Sequence, residues 1–152
     1  MGDSDVRMIV CTVGGTPEPI VLSLQRDQPQ GVLFVVSPNT LEIVDAQILP
    51  SLQVKPNRVD TVEVDHDRLA DAFHAIVQRV RDKLRDWRVQ PSETVADLTG
   101  GTKAMAGALA LAAAVLGLRT RYVAGGRPGG MGAVDPGTEV LVDEANPFEV
   151  YA

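Results

Sequence analysis

The chain of 152 residues has little cysteine, histidine or aromatic content, and each shortage excludes a class of site. The single cysteine, Cys11, excludes a disulfide within the chain. With only His66 and His74 as histidines, no spacing typical of a structural zinc site is present. Aromatic residues make up 4% of the sequence, so there are few rings on which the bases of a single nucleic-acid strand could stack. We therefore expect no metal and no other cofactor.

Basic residues and long apolar runs are also scarce. Fourteen Lys and Arg against 20 Asp and Glu give a net charge of -6 at pH 7, which is unsuited to gripping long DNA or RNA but still allows a small anion in a local basic pocket. The apolar stretch 104–116 is shorter than the roughly 20 residues that span a bilayer. Asp3 and Asp5 precede the first apolar run, unlike a secretory signal. We predict a cytoplasmic protein without membrane contact.

Aliphatic residues are abundant, since hydrophobic residues make up 45% of the chain while aromatics contribute little. A chain of this length buries roughly two thirds of the surface that it exposes when unfolded. The composition therefore predicts one domain over residues 1–152, with a core of Val, Leu, Ile and Ala.

Apolar runs alternate with helical stretches along the chain, a pattern typical of α/β proteins. Strands are predicted over 7–13, 32–37, 58–64, 94–98, 119–124 and 139–143, with helices between the first five. The best-marked helix spans 67–87, where apolar residues recur at helical spacing, and His74 beside this stripe is expected at the surface. The order predicts a Rossmann-like, doubly wound, mostly parallel sheet that ends in a β-hairpin around the glycine-rich loop 125–132.

The stretch 104–116 is predicted to form a helix that is apolar on every face and therefore buried. Its many alanines permit close approach by a neighbour. This helix could be buried either by another layer of the same chain or by a partner subunit in a dimer.

The most informative motif is Asp97-Leu98-Thr99-Gly100-Gly101-Thr102-Lys103-Ala104-Met105, in which a strand runs through two glycines into a helix. The glycines let the backbone approach a ligand, and the helix start offers unpaired N–H groups. Thr99, Thr102 and Lys103 add hydroxyls and a positive charge. The motif predicts a phosphate or phosphodiester site. It is not a P-loop, because the lysine lacks a glycine before it and a hydroxyl residue after it.

A second Gly-Gly-Thr loop, Thr12-Val13-Gly14-Gly15-Thr16-Pro17, follows the first strand, and Ser37-Pro38-Asn39-Thr40 follows the second. Thr16 is predicted to cap the next helix, whose first turn suits proline. In a doubly wound sheet, ligands bind beyond the strand ends at the switch point, here between the first and fourth strands. The two Gly-Gly-Thr loops are thus predicted side by side. The fingerprint Gly-x-Gly-x-x-Gly is missing, which argues against NAD or FAD.

In this order the three loops resemble the CRISPR-associated Rossmann fold (CARF) sensor domains of type III CRISPR ancillary proteins. The likeness covers nearly the whole chain and is most specific over 12–20, 34–40 and 97–105. It implies a homodimer that binds one cyclic oligoadenylate across both subunits, with cyclic tetra-adenylate favoured over hexa-adenylate because the loops are short. It also implies an effector domain or partner protein outside this chain, whether the chain is part of a longer protein or acts alone.

The resemblance implies ligand contacts from the three strand-end loops and from the glycine-rich loop. The implied contact residues are Thr12, Gly14, Gly15, Thr16, Ser37, Asn39, Thr40, Thr99, Gly100, Gly101, Thr102, Lys103, Met105 and Arg127.

Some members of that family also cleave their ligand by attack of a ribose 2′-hydroxyl on the neighbouring phosphodiester. Here Thr16, Thr102 and Lys103 would align the reacting groups and stabilise charge without a metal. No histidine is expected in the cleft, so a general base is not evident. The sequence therefore favours a sensor and leaves open a slow ring nuclease or an unrelated mononucleotide-binding domain.

Overall fold

The computed structural model describes residues 4–124 and 140–147, which form a six-stranded sheet with helices on both faces. The strands are β1 (Met8–Thr12), β2 (Gly31–Val36), β3 (Arg58–Glu63), β4 (Thr94–Asp97), β5 (Arg119–Ala124) and β6 (Val140–Glu144). Their order is β3-β2-β1-β4-β5-β6, and only β6 runs antiparallel to its neighbour within the described residues. The predicted Rossmann-like fold is confirmed, with strand ends within one residue of those expected.

Four α-helices connect the strands of the described part. They are α1 (Glu18–Asp27), α2 (Leu41–Ile43), α3 (Leu69–Asp86) and α4 (Lys103–Leu116). Helix α2 continues through a π-helical turn, Val44–Ile48, and a 3-10 turn, Leu49–Ser51. Helix α4 ends at Gly117, whose φ of 77° is readily adopted only by glycine. The predicted glycine-rich loop 125–132 lies outside the described residues.

The central strands are buried on both faces, as parallel sheets covered by helices require. Met8 and Val10 of β1 belong to the core under α3 and α4, whereas Ile9 and Cys11 belong to the core under α1 and the π-helical turn. This alternation follows from the two-residue period of a strand. Burial, together with the nearby carboxylate of Asp97, raises the pKa of the Cys11 thiol.

Among the described residues, helix α4 is covered by its own chain on one side only. Its inner face packs through buried residues that include Ala108, Leu109 and Ala112. Its outer face leaves Leu111 49% exposed and Val115 66% exposed, although both are apolar. No helix in the ranges 4–124 and 140–147 is long and apolar enough to cross a bilayer.

A buried arginine links the last strand to α1. Arg121 of β5 is 1% exposed and forms ion pairs with Asp27 of α1 and Asp143 of β6. Its guanidinium also donates a hydrogen bond of 3.0 Å to the hydroxyl of Ser23. Arg121 therefore holds together elements that are distant in sequence, and nothing in its local sequence pattern predicts this.

Candidate functional site

The two Gly-Gly-Thr loops meet at the carboxyl ends of β1 and β4. These strands pair directly, so the loops that follow them lie side by side, as predicted. A Cβ atom on Gly14 would lie 2.7 Å from the backbone nitrogen of Gly101, and one on Gly100 would lie 2.3 Å from the carbonyl oxygen of Thr12. Only glycine permits backbones to approach this closely.

Two threonine hydroxyls hold the loops in place. The hydroxyl of the buried Thr12 donates a hydrogen bond of 2.6 Å to the carbonyl of Gly100, across the two loops. The hydroxyl of Thr99 donates to the carboxylate of Asp97 at 2.6 Å and accepts from the backbone N–H of Val123 at 2.7 Å. Both hydroxyls are therefore engaged by the protein itself, and they make the loops rigid.

The N-terminus of α4 opens beside the glycines. Thr102 caps the helix: its hydroxyl accepts a 3.2 Å hydrogen bond from the backbone N–H of Met105 and donates to the carbonyl of His66. Lys103, the first residue of the helix, is exposed. The unpaired N–H groups of the first turn, the helix dipole and the lysine charge together favour an anion here.

The loop after β2 forms the third side of the candidate site. The hydroxyl of Thr40 accepts a 3.0 Å hydrogen bond from the backbone N–H of Ser37 and lies 3.2 Å from the hydroxyl of Ser37. This local turn leaves Asn39 exposed between them. The loop therefore offers short polar groups on a fixed backbone.

Two pockets lie on either side of the glycines, and Gly14, Gly15 and Gly101 line both. The first, here called the Ser37 pocket, has a volume of about 240 Å³ and is lined by Val13, Gly14, Gly15, Ser37, Asn39, Thr40, His66, Gly101, Thr102 and Met105. The second, here called the Thr16 pocket, has a volume of about 170 Å³ and is lined by Gly14, Gly15, Thr16, Pro19, Ile20, Thr99, Gly100 and Gly101. The glycines thus separate two pockets, of which the Thr16 pocket is the more polar.

Most of the residues implied as ligand contacts line one of these pockets, whereas Thr12 and Lys103 do not. Thr12 is buried below the loops, and Lys103 lies exposed next to Thr102, which lines the Ser37 pocket. Arg127 lies outside the described residues.

The predicted capping role of Thr16 is wrong. Pro17 occupies the N-cap position, already has helical backbone angles (φ -77°, ψ -24°), and makes no side-chain capping bond. Proline fixes φ near this value and so begins the helical conformation after Thr16. The exposed Thr16 is instead a wall of its pocket.

The expectation that no histidine lies in the cleft is also wrong, because His66 lines the Ser37 pocket. His66 lies just beyond the carboxyl end of β3, and β3 pairs in parallel with β2, the strand that leads to Ser37. This pairing was the signal that could have located it. The Nε2 atom of His66 lies 3.0 Å from the carboxylate of Asp67. His74 is exposed, as expected, and its ring contacts that of Phe73 edge-on.

Comparison with known proteins finds similarity in structure only. No model of a protein family matches the chain, and no curated protein matches its sequence. Can2 from Sulfobacillus thermosulfidooxidans, solved in complex with cyclic tetra-adenylate, matches with a TM-score of 0.64 and 22% identity over 78% of this chain and 31% of that one. Csm6 from Enterococcus italicus, bound to cyclic hexa-2′-fluoro-hexa-dAMP, matches with a TM-score of 0.63 and 12% identity over 78% and 33% of the two chains.

A type III CRISPR defence DNA nuclease activated by cyclic oligoadenylate matches with a TM-score of 0.62 and 18% identity, over 99% of this chain and 22% of that one. The chain therefore spans between 22% and 33% of the length of these three proteins. The fold that the resemblance to CARF domains implies is confirmed by these structures.

Proposed function

We propose that this chain is a sensor domain that binds a cyclic oligoadenylate in type III CRISPR antiviral defence. The observation that carries the proposal is the meeting of the two Gly-Gly-Thr loops beside the N-terminus of α4, with a pocket on each side. The fold shared with three proteins of this kind supports it. An effector domain or partner outside this chain would respond to the ligand.

The ligand is a ring of phosphodiesters with adenines directed outward, which requires repeated anion and base contacts. We assign phosphate and ribose contacts to both Gly-Gly-Thr loops and to Lys103, where N–H groups and a positive charge converge. We assign adenine or ribose contacts to the loop after β2, which presents hydroxyl and amide groups. Thr12 and Thr99 would act indirectly, by holding the loops. Arg127 remains a proposed contact from the glycine-rich loop.

A homodimer is part of the proposal, and an apolar groove between α3 and α4 supports it. The groove has a volume of about 590 Å³ and is lined only by apolar residues, namely Leu69, Ala70, Phe73, Leu111, Ala114 and Val115. Leu69, Leu111 and Val115 are each 40% exposed or more. An apolar surface of this kind on an otherwise charged domain favours contact with another protein surface.

The groove lies along the same helix that begins at the anion site, so a two-fold interface along this helix would let both copies of the site face one ligand. A two-fold dimer presents matching halves to a ligand with matching halves. Cyclic tetra-adenylate and cyclic hexa-adenylate both have this symmetry, and we favour the smaller ring because the described loops are short.

The dimer is tested by Val115→Glu, which puts a charge on the groove. We expect multi-angle light scattering to give the mass of two chains for the wild type and of one chain for this variant. Val54→Glu is the matched control, because Val54 is 49% exposed and lies outside the groove. If Val115→Glu and Val54→Glu were both monomeric, or both dimeric, the assignment of the interface would be contradicted.

Ligand binding is tested by calorimetric titration with cyclic tetra-adenylate and cyclic hexa-adenylate. We expect one ring per two chains and loss of binding in Lys103→Ala. Arg81→Ala is the matched control: it removes the same charge from an exposed position in α3 that makes no ion pair with the described residues. Absence of heat with both rings would overturn the proposed function and favour another small phosphate ligand.

A further inference from the structure

We propose that strand β6 is coupled to the ligand site, so that a ligand held by the two Gly-Gly-Thr loops slows the local opening of this strand. The inference rests on the proposed binding of a cyclic oligoadenylate and assigns a surface that responds to it. Strand β6 lies at one edge of the sheet, and within the described residues it pairs only with β5. The coupling depends on one side chain of β6, that of Asp143.

The carboxylate of Asp143 bridges two elements on which β6 rests. Its Oδ1 atom accepts a hydrogen bond from Nε of Arg121 in β5, and its Oδ2 atom accepts one from the guanidinium of Arg26 in the last turn of α1. The Arg121 side chain is almost completely buried, so its bond to the carboxylate is shielded from water. Hydrogen bonds between charged groups are about twice as strong as neutral ones. Asp143 therefore fixes β6 to α1 and to β5 at the same time.

Helix α1 and strand β5 each lead to one of the Gly-Gly-Thr loops. Helix α1 begins at Glu18, directly after the first loop. Strand β5 is bonded to the second loop, because the backbone N–H of Val123 donates a 2.7 Å hydrogen bond to the hydroxyl of Thr99. Both loops are thus connected to Asp143, one through a helix and the other through a strand.

Among the described residues, few apolar contacts hold β6 in place. Val140 is 60% exposed, and Leu141 and Val142 are only half-buried. Elements with few buried apolar contacts open locally at a small cost in free energy. When β6 opens, α1 and β5 lose the carboxylate that they share. A ligand that needs both loops in place therefore binds better while β6 is paired, and by linkage it stabilises the paired strand by the same factor.

The test is hydrogen exchange of the full chain, read by mass spectrometry with and without cyclic tetra-adenylate or cyclic hexa-adenylate, while calorimetric titration confirms binding. Coupling between sites is commonly about 5- to 150-fold, so the amides of Val140–Glu144 should exchange at least about fivefold more slowly in the bound wild type. Asp143→Ala should still bind, but its β6 amides should exchange equally fast with and without the ligand. Arg26→Ala breaks the connection to α1 at a partly exposed position and should also reduce the protection.

Glu144→Ala is the matched control, because it removes a negative charge from the next residue, which is exposed and makes no ion pair with the described residues. Its β6 amides should be protected as in the wild type, and loss of that protection would contradict the role of Asp143. Binding without slower exchange in β6, or protection in Asp143→Ala or Arg26→Ala equal to that of the wild type, would overturn this inference and leave the sensor function standing. A wild type that binds neither ring would overturn both.

Discussion

Replacing Gly100 by alanine tests whether the close approach of the two loops builds the site. The new Cβ would lie 2.3 Å from the carbonyl oxygen of Thr12 and 3.1 Å from the backbone nitrogen of Gly14. Ordinary contacts of a Cβ atom begin near 3.4 Å, so the first distance is short by roughly 1 Å. Both neighbouring atoms belong to the backbone, and Thr12 is buried, so no side chain can rotate away to relieve the contact.

The expected penalty is that of overpacking, about 1–3 kcal/mol, near the upper end because backbone has to move. For a domain of this size each kcal/mol lowers the Tm by about 2–4 °C, so we expect a fall of about 4–12 °C by differential scanning fluorimetry. Displacing one loop by roughly 1 Å should also weaken binding of a cyclic oligoadenylate at least about tenfold in a calorimetric titration.

Gly15→Ala is the matched control, since a Cβ there would meet nothing within 4 Å. Its free energy of unfolding should stay within about 0.5 kcal/mol of that of the wild type. If Gly100→Ala retained the Tm of Gly15→Ala, the contact between the loops would not exist as described.

Three further predictions concern the cap of α4 and the buried ion pairs. Thr102→Ala should cost about 1–2 kcal/mol in urea denaturation because it removes an N-cap, whereas Thr102→Ser should retain most of the stability; equal losses would contradict the capping role. Arg121→Ala should cost about 3–5 kcal/mol in the same assay, because the buried carboxylate of Asp27 would keep only its longer, 3.7 Å ion pair with Arg26. The double variant Arg121→Met with Asp27→Leu should be less destabilised than Arg121→Ala. Burial raises the pKa of Asp143, but hydrogen bonds and charges from Arg121 and Arg26 outweigh this and hold that pKa below its usual value. The resulting stabilisation is present above about pH 4 and is lost as the pH falls through the lowered pKa, so the Tm of Asp143→Asn should depend less on pH below 4 than that of the wild type.

The strands and the Gly-Gly-Thr loops could be predicted because their signals are local. A buried parallel strand is an apolar run, as in Met8–Thr12, and its end is marked by glycines and hydroxyl residues. The adjacency of the two loops followed from a topological rule for doubly wound sheets. Thr16 was wrongly predicted as the N-cap of α1, because the next residue, Pro17, occupies that position and already adopts helical backbone angles.

The positions of His66 and Arg121 in the structure could not be predicted from the sequence. His66 reaches the pocket because β3 pairs with β2, and Arg121 is buried because Asp27 and Asp143 converge on it from α1 and β6. In sequence, both are polar residues with no distinguishing pattern. Their surroundings come from segments far along the chain, so local propensity carries no information about them.

By itself, the sequence determined the α/β alternation, the aliphatic core and the two glycine loops, because periodicity, composition and backbone freedom are properties of neighbouring residues. The tertiary structure alone decided which hydroxyls are engaged by the protein, which histidine enters the pocket, and that α4 keeps an exposed apolar face. These features depend on distances between groups that only folding brings together.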